Sequence, residues 1–258
     1  MPGFRTVAII GPPNVGKSTV FNRLTGLRQK VGNYSGVTVE QHEGQIKGTR
    51  TKLLDLPGVW SLEGDESDLT SEDQCIAVRA LRGEIEGQPK PEAVLLVLDA
   101  TQLHRQMTLA RQVIAHHLPT LVVVNMTDVL AAREGFLDPL SLAQTLNSPV
   151  AMVSAGTGSG MDAIRRFVGV KTASAKSPLL PVMQPRVQQR QMGCPRSMSE
   201  IENQGLYRRP LPSEWSRRID RVALHPVLAR LCSSLLLWPS SRPSSVSPLR
   251  PAISSRNS

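Results

Sequence analysis

Gly11, Gly16, Lys17 and Ser18 stand at the spacing of a loop that holds phosphate. The stretch Gly11-Pro12-Pro13-Asn14-Val15-Gly16-Lys17-Ser18 fits GxxxxGK[ST] at every fixed position. Thr6–Ile10 before it reads as a buried strand, and Ser18–Leu27 after it reads as a helix. In that setting the glycines let backbone N–H groups turn inward around a β-phosphate, and the helix N-terminus adds a positive dipole end. Lys17 is then expected to bridge the β- and γ-phosphates, Ser18 to ligate Mg²⁺ through its hydroxyl, and Thr19 to sit near the α-phosphate. The competing reading is a chance match in a glycine loop, and the flanking strand and helix weigh against it.

Asp55-Leu56-Pro57-Gly58 closes a predicted strand, Thr51–Leu56. A carboxylate at that place can hold Mg²⁺ through water, and the Gly58 N–H can meet a γ-phosphate. Alone, DxxG is an ordinary Pro-Gly turn; its position after the phosphate loop gives it weight. Asn125-Met126-Thr127-Asp128 follows the predicted strand Thr120–Val124. The Asp128 carboxylate can accept from guanine N1–H and N2–H₂, which adenine does not offer in that arrangement, so ATP should be rejected strongly. Asn125 can bond the base and tie its loop to the phosphate loop. Met126 stands where guanine-specific loops often carry Lys, and its stem can cover the base. Ser154-Ala155-Gly156 follows the last predicted strand, where the Ala155 N–H can meet guanine O6. Four motifs in this order leave little room for coincidence.

The elements that must position these residues alternate between apolar runs and helical stretches. Strands are predicted at 6–10, 39–47, 51–56, 93–98, 120–124 and 150–153. Helices are predicted at 18–27, 72–81, 104–117, 140–146 and 161–168. Ala93–Leu98 (AVLLVL) has the continuous apolar character of a parallel strand buried on both faces. The expectation is an α/β domain of the P-loop class over residues 1–170, a mostly parallel sheet with helices on both faces. Ligands of such sheets bind at the carboxyl ends of the strands, where each motif falls.

Charge and composition change near Lys171. Residues 1–170 hold 16 Lys/Arg against 17 Asp/Glu, whereas residues 171–258 hold 14 against 4 and 11 of the 20 prolines. The pI of 10.1 therefore describes the tail. Residues 171–231 read as a linker and a partly helical spacer. Residues 232–258, rich in Ser, Pro and Arg, have too little apolar surface to offset the entropy of ordering. The three cysteines, Cys75, Cys194 and Cys232, form no metal-knuckle or disulfide pattern, as suits a reducing compartment. No signal-peptide pattern opens the chain, and no run of about 18 apolar residues would span a bilayer. On this reading the chain is expected to be soluble.

Between the phosphate loop and DLPG lies Val31-Gly32-Asn33-Tyr34-Ser35-Gly36-Val37-Thr38-Val39-Glu40. With GPPNVGKST before it, DLPGVWSL after it and NMTD later, this string resembles the GTPase domain of bacterial ferrous iron transport protein B, over residues 4–169. The resemblance resumes in WSRRIDRVALHPVL (215–228), which is similar to the basic segment leading into that family's first membrane span. It implies GTP/GDP as ligand, with Mg²⁺ and K⁺ as cofactors. It makes Gly36, Val37, Thr38 and Val39 the first switch, with Thr38 reaching Mg²⁺ when GTP is bound. Asn14 would help hold K⁺ against the phosphates, together with backbone carbonyls around Gly32 and Asn33. Lys17, Thr38, Gly58 and Asn14 would thus be the catalytic groups. Val59 stands where many signalling GTPases place a water-orienting Gln, so slow intrinsic hydrolysis is expected. The implied partners are the transporter's membrane domain and small accessory iron-transport proteins, on the cytoplasmic side of the bacterial inner membrane. The family's apolar span is replaced after Leu228 by ARLCSS and a Ser/Pro/Arg tail, for which a frameshift or truncation near 229 is one explanation. This chain alone is therefore not expected to move iron.

Two other readings stand beside this one. GxPNVGKST is shared with GTPases that act on ribosomal or transfer RNA, and the basic tail would then be the RNA contact, with Tyr207, Trp215 and Trp238 as its stacking aromatics. The first-switch string GVTVE fits the iron-transport family better. Alternatively the domain binds nucleotide with negligible turnover. In either case the tail's positive charge gives weak, salt-sensitive attraction to anionic lipid or RNA.

Overall fold

The computed structural model describes residues 5–26, 29–33, 40–62, 71–169 and 197–211. The chain order is β1 (Thr6–Ile10), α1 (Lys17–Thr25), β2 (Gln29–Asn33), β3 (Glu40–Gln45), β4 (Lys52–Asp55), α2 (Glu72–Arg82), β5 (Ala93–Asp99), α3 (Leu103–Ile114) and β6 (Thr120–Asn125). It continues through α4 (Thr127–Ala132), β7 (Phe136–Leu137), α5 (Pro139–Leu146), β8 (Val150–Met152), α6 (Met161–Phe167), α7 (Met198–Asn203) and β9 (Tyr207–Arg208).

Seven strands form one sheet in the order β2-β3-β4-β1-β5-β6-β8. β4, β1, β5, β6 and β8 run parallel, and β2 and β3 add an antiparallel edge. The period-two alternation of a strand divides the central residues between two cores. Val94, Leu96 and Leu98 of β5 face one cluster with Ala8 and Ile10 of β1, packed under α2, α3 and α5. Ala93, Leu95 and Val97 face the other with Val7 and Ile9, packed under α1 and α6. All seven residues of β5 are buried. Local signals fix the helix ends. Ser71 caps α2 by accepting from the Gln74 N–H, and Asp138 caps α5 by accepting from the Ser141 N–H at 2.9 Å, with Pro139 in the first turn.

Residues 197–211, which the sequence places in the linker and spacer, pack on this domain. Met198, Ile201 and Tyr207 are buried in the cluster under α3 and α5, and β9 pairs antiparallel with β7. The Tyr207 hydroxyl donates to the Ala100 carbonyl at 3.3 Å. Its ring is thus a core group, which removes it from the stacking aromatics of the RNA reading; Trp215 and Trp238 lie outside the described residues. No helix of the described residues is long and apolar enough to cross a membrane.

Candidate nucleotide-binding site

The four motifs end up along one edge of the sheet because they follow the carboxyl ends of parallel neighbours. Register pairs Ile9 with Asp55, Ile10 with Leu96 and Asp99 with Asn125, so β1 and β4 finish together and β5 and β6 run further past that edge. The loop 11–16 leaves β1, crosses that edge and turns into α1. Gly11 is forced: a Cβ there would lie 2.2 Å from the Val97 carbonyl oxygen. Gly16, at φ 82°, begins α1 in the left-handed region, and a Cβ there would lie 2.3 Å from Asn125 Nδ2. No side chain caps α1 and no acidic residue sits in its first turn, so its leading N–H groups face the loop's concavity. Pro12 and Val15 are buried under the loop, while Pro13, Asn14, Ser18 and Thr19 are exposed. Asn14 adopts φ 65°.

Lys17 Nζ donates to Asp55 Oδ1 at 2.7 Å and to the Leu56 carbonyl at 2.6 Å. The DxxG turn closes against the phosphate loop. The Leu56 N–H donates to the Ile9 carbonyl at 3.0 Å, the Val59 N–H to the Gly11 carbonyl at 3.3 Å, and a Cβ on Gly58 would stand 3.2 Å from Pro13 Cα. Pro57 and Gly58 are partly exposed beside it.

Asn125 is 3% exposed and joins the two halves of the site. Its Nδ2 donates to the Val15 carbonyl at 2.9 Å, and its Oδ1 accepts the Ala155 N–H at 2.8 Å. Met126 takes φ 62°, which turns the chain so that α4 starts at Thr127 with Asp128, exposed, in its first turn. Thr127 is tied to the Val153 carbonyl through its N–H at 3.3 Å and its hydroxyl at 3.0 Å. Ser154 and Ala155 are buried and Gly156 is exposed. The amide assigned by sequence to guanine O6, that of Ala155, thus already donates to Asn125.

The structure therefore brings Gly11–Thr19, Asp55–Gly58, Asn125–Asp128 and Ser154–Gly156 around one edge. Gly36, Val37, Thr38 and Val39 lie outside the described residues. Gly32 and Asn33 are in β2, paired with Gln41 and Glu40. Sequence reasoning missed Arg23, whose Nε donates to the Ala155 carbonyl and whose Nη2 donates to the Gly156 carbonyl. The available signal was helical spacing: Arg23 lies four residues after Thr19, on the same face of α1.

A family model described as ferrous iron transport protein B matches residues 5–168. The Fe(2+) transporter FeoB of Leptospira biflexa is 37% identical over 174 residues, which is 67% of this chain and 24% of that protein. The Fe(2+) transporter FeoB of Salmonella typhimurium is 34% identical over 182 residues, 70% of this chain and 23% of that protein. The chain thus spans only 24% and 23% of the length of these two relatives. Among solved structures, a variant of the S. thermophilus FeoB G-domain bound to GDP superimposes with TM-score 0.58 at 32% identity, covering 64% of this chain and 61% of that one. The G domain of the T. maritima FeoB iron transporter does so with TM-score 0.53 at 32% identity, covering 63% and 95%. The chain belongs to the ferrous iron transport protein B family, and residues 5–168 are its G domain.

Proposed function

We propose that this domain binds GTP and GDP and hydrolyses GTP slowly, as the nucleotide switch of a ferrous iron transporter. The observation that carries the reading is Asn125. One buried amide bonds the phosphate loop at Val15 and the base loop at Ala155, so a single ligand with phosphates at one end and a purine at the other would meet both. The solved S. thermophilus relative is a GDP complex, which supports the same ligand here.

The roles follow from position. The uncapped α1 N-terminus and the loop amides from Gly11 to Ser18, with Pro12, Pro13 and Val15 shaping the turn, would take the phosphates. Lys17 would exchange its Asp55 and Leu56 contacts for the β- and γ-phosphate oxygens. Asp128 would accept from guanine N1–H and N2–H₂, Met126 would cover the base, and Ser154, Ala155 and Gly156 would line the O6 side. Leu56 and Pro57 would set the turn that brings the Gly58 amide to the γ-phosphate. An exposed Ser18 hydroxyl and the Asp55 carboxylate are hard oxygen donors that suit Mg²⁺, with Thr38 as the third. Bound there, Mg²⁺ would neutralise charge on the phosphate oxygens. The exposed Asn14 side chain offers a carbonyl oxygen that suits K⁺ in the same way.

Val59 supports the slow-turnover reading. Its side chain is apolar and 2% exposed, so it cannot orient an attacking water. The transporter's membrane domain and accessory iron-transport proteins, at the cytoplasmic face of the inner membrane, are the proposed partners of the switch, and the basic tail would add weak attraction to anionic lipid. The test is calorimetry with GDP, GTP and ATP followed by phosphate release under excess GTP. Tight guanine binding with slow release is expected. Equal affinity for ATP would overturn the assignment.

A further inference from the structure

Arg23 is neither in the phosphate loop nor in the base-reading motifs, yet it connects them. It stands on α1, the helix that begins at the phosphate loop, and its guanidinium donates to the Ala155 and Gly156 carbonyls in the loop that follows β8. Two donors of one planar fork meeting two successive carbonyls fix the orientation of the peptide units between them, not merely their distance. The loop is prepared for this contact. Gly158 sits at φ 93°, and a Cβ there would stand 2.8 Å from Arg23 Nη1, so the glycine makes room for the guanidinium. The far side of the loop closes on itself, with the Gly158 N–H donating to the Ser154 carbonyl at 2.8 Å and the Ser154 N–H donating to the Ser159 carbonyl at 3.0 Å.

The surroundings leave the Arg23 charge for these carbonyls. Arg23 lines a cleft of about 710 Å³ with Lys47, Arg165, Thr19, Asn22 and Thr157, and among the described residues no acidic one lines it. Among the described residues Arg23 has no ion-pair partner. A guanidinium on backbone carbonyls polarises the peptide units and strengthens their N–H groups as donors. Arg23 holds the carbonyl side of this loop while Asn125 holds the Ala155 N–H from the other side.

We propose that Arg23 is a positioning residue that fixes the base loop for the purine 6-oxygen and thereby sets how long a guanine nucleotide stays bound. The proposal rests on the guanine-binding reading above. It adds that residence time is controlled from α1, by a side chain that touches neither phosphate nor base. A purely structural Arg23 would affect every nucleotide alike. A positioning Arg23 acts through the 6-oxygen and affects only nucleotides that have one.

The experiment compares GDP with 6-thioguanosine diphosphate, which keeps N1–H and the 2-amino group and carries sulfur, a weaker and bulkier acceptor, in place of the 6-oxygen. Affinities and dissociation rates are measured by calorimetry and stopped flow for wild type, Arg23→Gln and Arg23→Lys. In Arg23→Gln, GDP should dissociate about tenfold faster and bind about tenfold more weakly, the scale of a hydrogen bond made by a charged group, with the analogue changed less than about twofold. Arg23→Lys keeps the charge without the fork and should fall between. Equal losses for both nucleotides, or no change for GDP, would overturn the proposal. A wild type that holds GDP no better than the analogue would remove the 6-oxygen contact itself, and the proposal with it. GDP binding by wild type, tested beforehand, decides the guanine reading separately.

Discussion

Lys17 Nζ lies 2.7 Å from Asp55 Oδ1, with the two side chains only 13% and 9% exposed. The contact joins the start of α1 to the end of β4, so the two motifs that would share phosphate and Mg²⁺ already share an ion pair. A pair this sheltered is costly to break from one side, because the remaining charge keeps its desolvation without its lysine or carboxylate. Lys17→Met and Asp55→Asn should each lower the stability of the nucleotide-free protein by about 1–3 kcal/mol. The double variant should lose at least about 0.5 kcal/mol less than the sum. Urea unfolding of the four proteins measures this, and strict additivity would mean that the pair contributes nothing.

Asp128 carries the prediction about the base. It is exposed in the first turn of α4, and Met126 sets its direction through a left-handed backbone. Asp128→Ala should weaken guanine nucleotide binding by about 2–4 kcal/mol, the scale of removing a charged hydrogen-bond partner. ATP affinity should stay where it was. Calorimetry with both nucleotides decides it, and parallel losses would point to collapse of the α4 turn.

The parallel strands were legible because they are continuous apolar runs, and the motifs because each carries its chemistry in a few fixed residue types. β2 was not, since Gln29, Lys30, Gly32 and Asn33 leave Val31 as its one apolar residue. An edge strand of that composition is held by its ladder to β3, which a linear pattern does not record. α4 was hidden because it is only six residues long and its first two, Thr127 and Asp128, belong to the NxxD motif. α7 and β9 follow a Pro- and Gln-rich stretch, and only tertiary contact shows that Met198, Ile201 and Tyr207 return to the core. Arg23 could be placed on the Thr19 face of α1. Its acceptors lie 132 and 133 residues further on, and no local pattern connects them.

Tyr207 gives a pH dependence. Burial, with Glu202 nearby, pushes its phenol from 10.0 up to about 12. The neutral form is the one held in the fold, so the folded chain keeps this proton after the unfolded chain has lost it. The resulting stabilisation is fully present below pH 10 and is lost as pH rises from 10 to about 12. Tyr207→Phe keeps the ring and removes both this titration and the bond to the Ala100 carbonyl. It should be less stable than wild type at neutral pH, and the gap should narrow through that alkaline window. Denaturant midpoints across the window, with tyrosinate absorbance as the second signal, test it. A constant gap would exclude Tyr207 as the titrating group.

A cation dependence of turnover, if GTP cleavage has one, is expected to rest on Asn14. Its side chain is exposed at the rim of the phosphate loop, and its backbone is left-handed at φ 65°. That conformation is common for Asn and costly for Ala, so Asn14→Gly is the cleaner variant, removing the amide without adding backbone strain. Negative charge builds on the phosphate oxygens and the β–γ bridge as GTP is cleaved, and a fixed cation beside them lowers that barrier. Na⁺ is smaller and should suit a site lined by carbonyl oxygens less well. The competing role for Asn14 is to hydrogen-bond the loop backbone only. Steady-state phosphate release separates the two. Wild type should be faster in KCl than in NaCl at equal ionic strength, and Asn14→Gly should lose that difference while binding GDP as before. The same rate for wild type in both salts would leave Asn14 a loop residue and remove K⁺ from the mechanism.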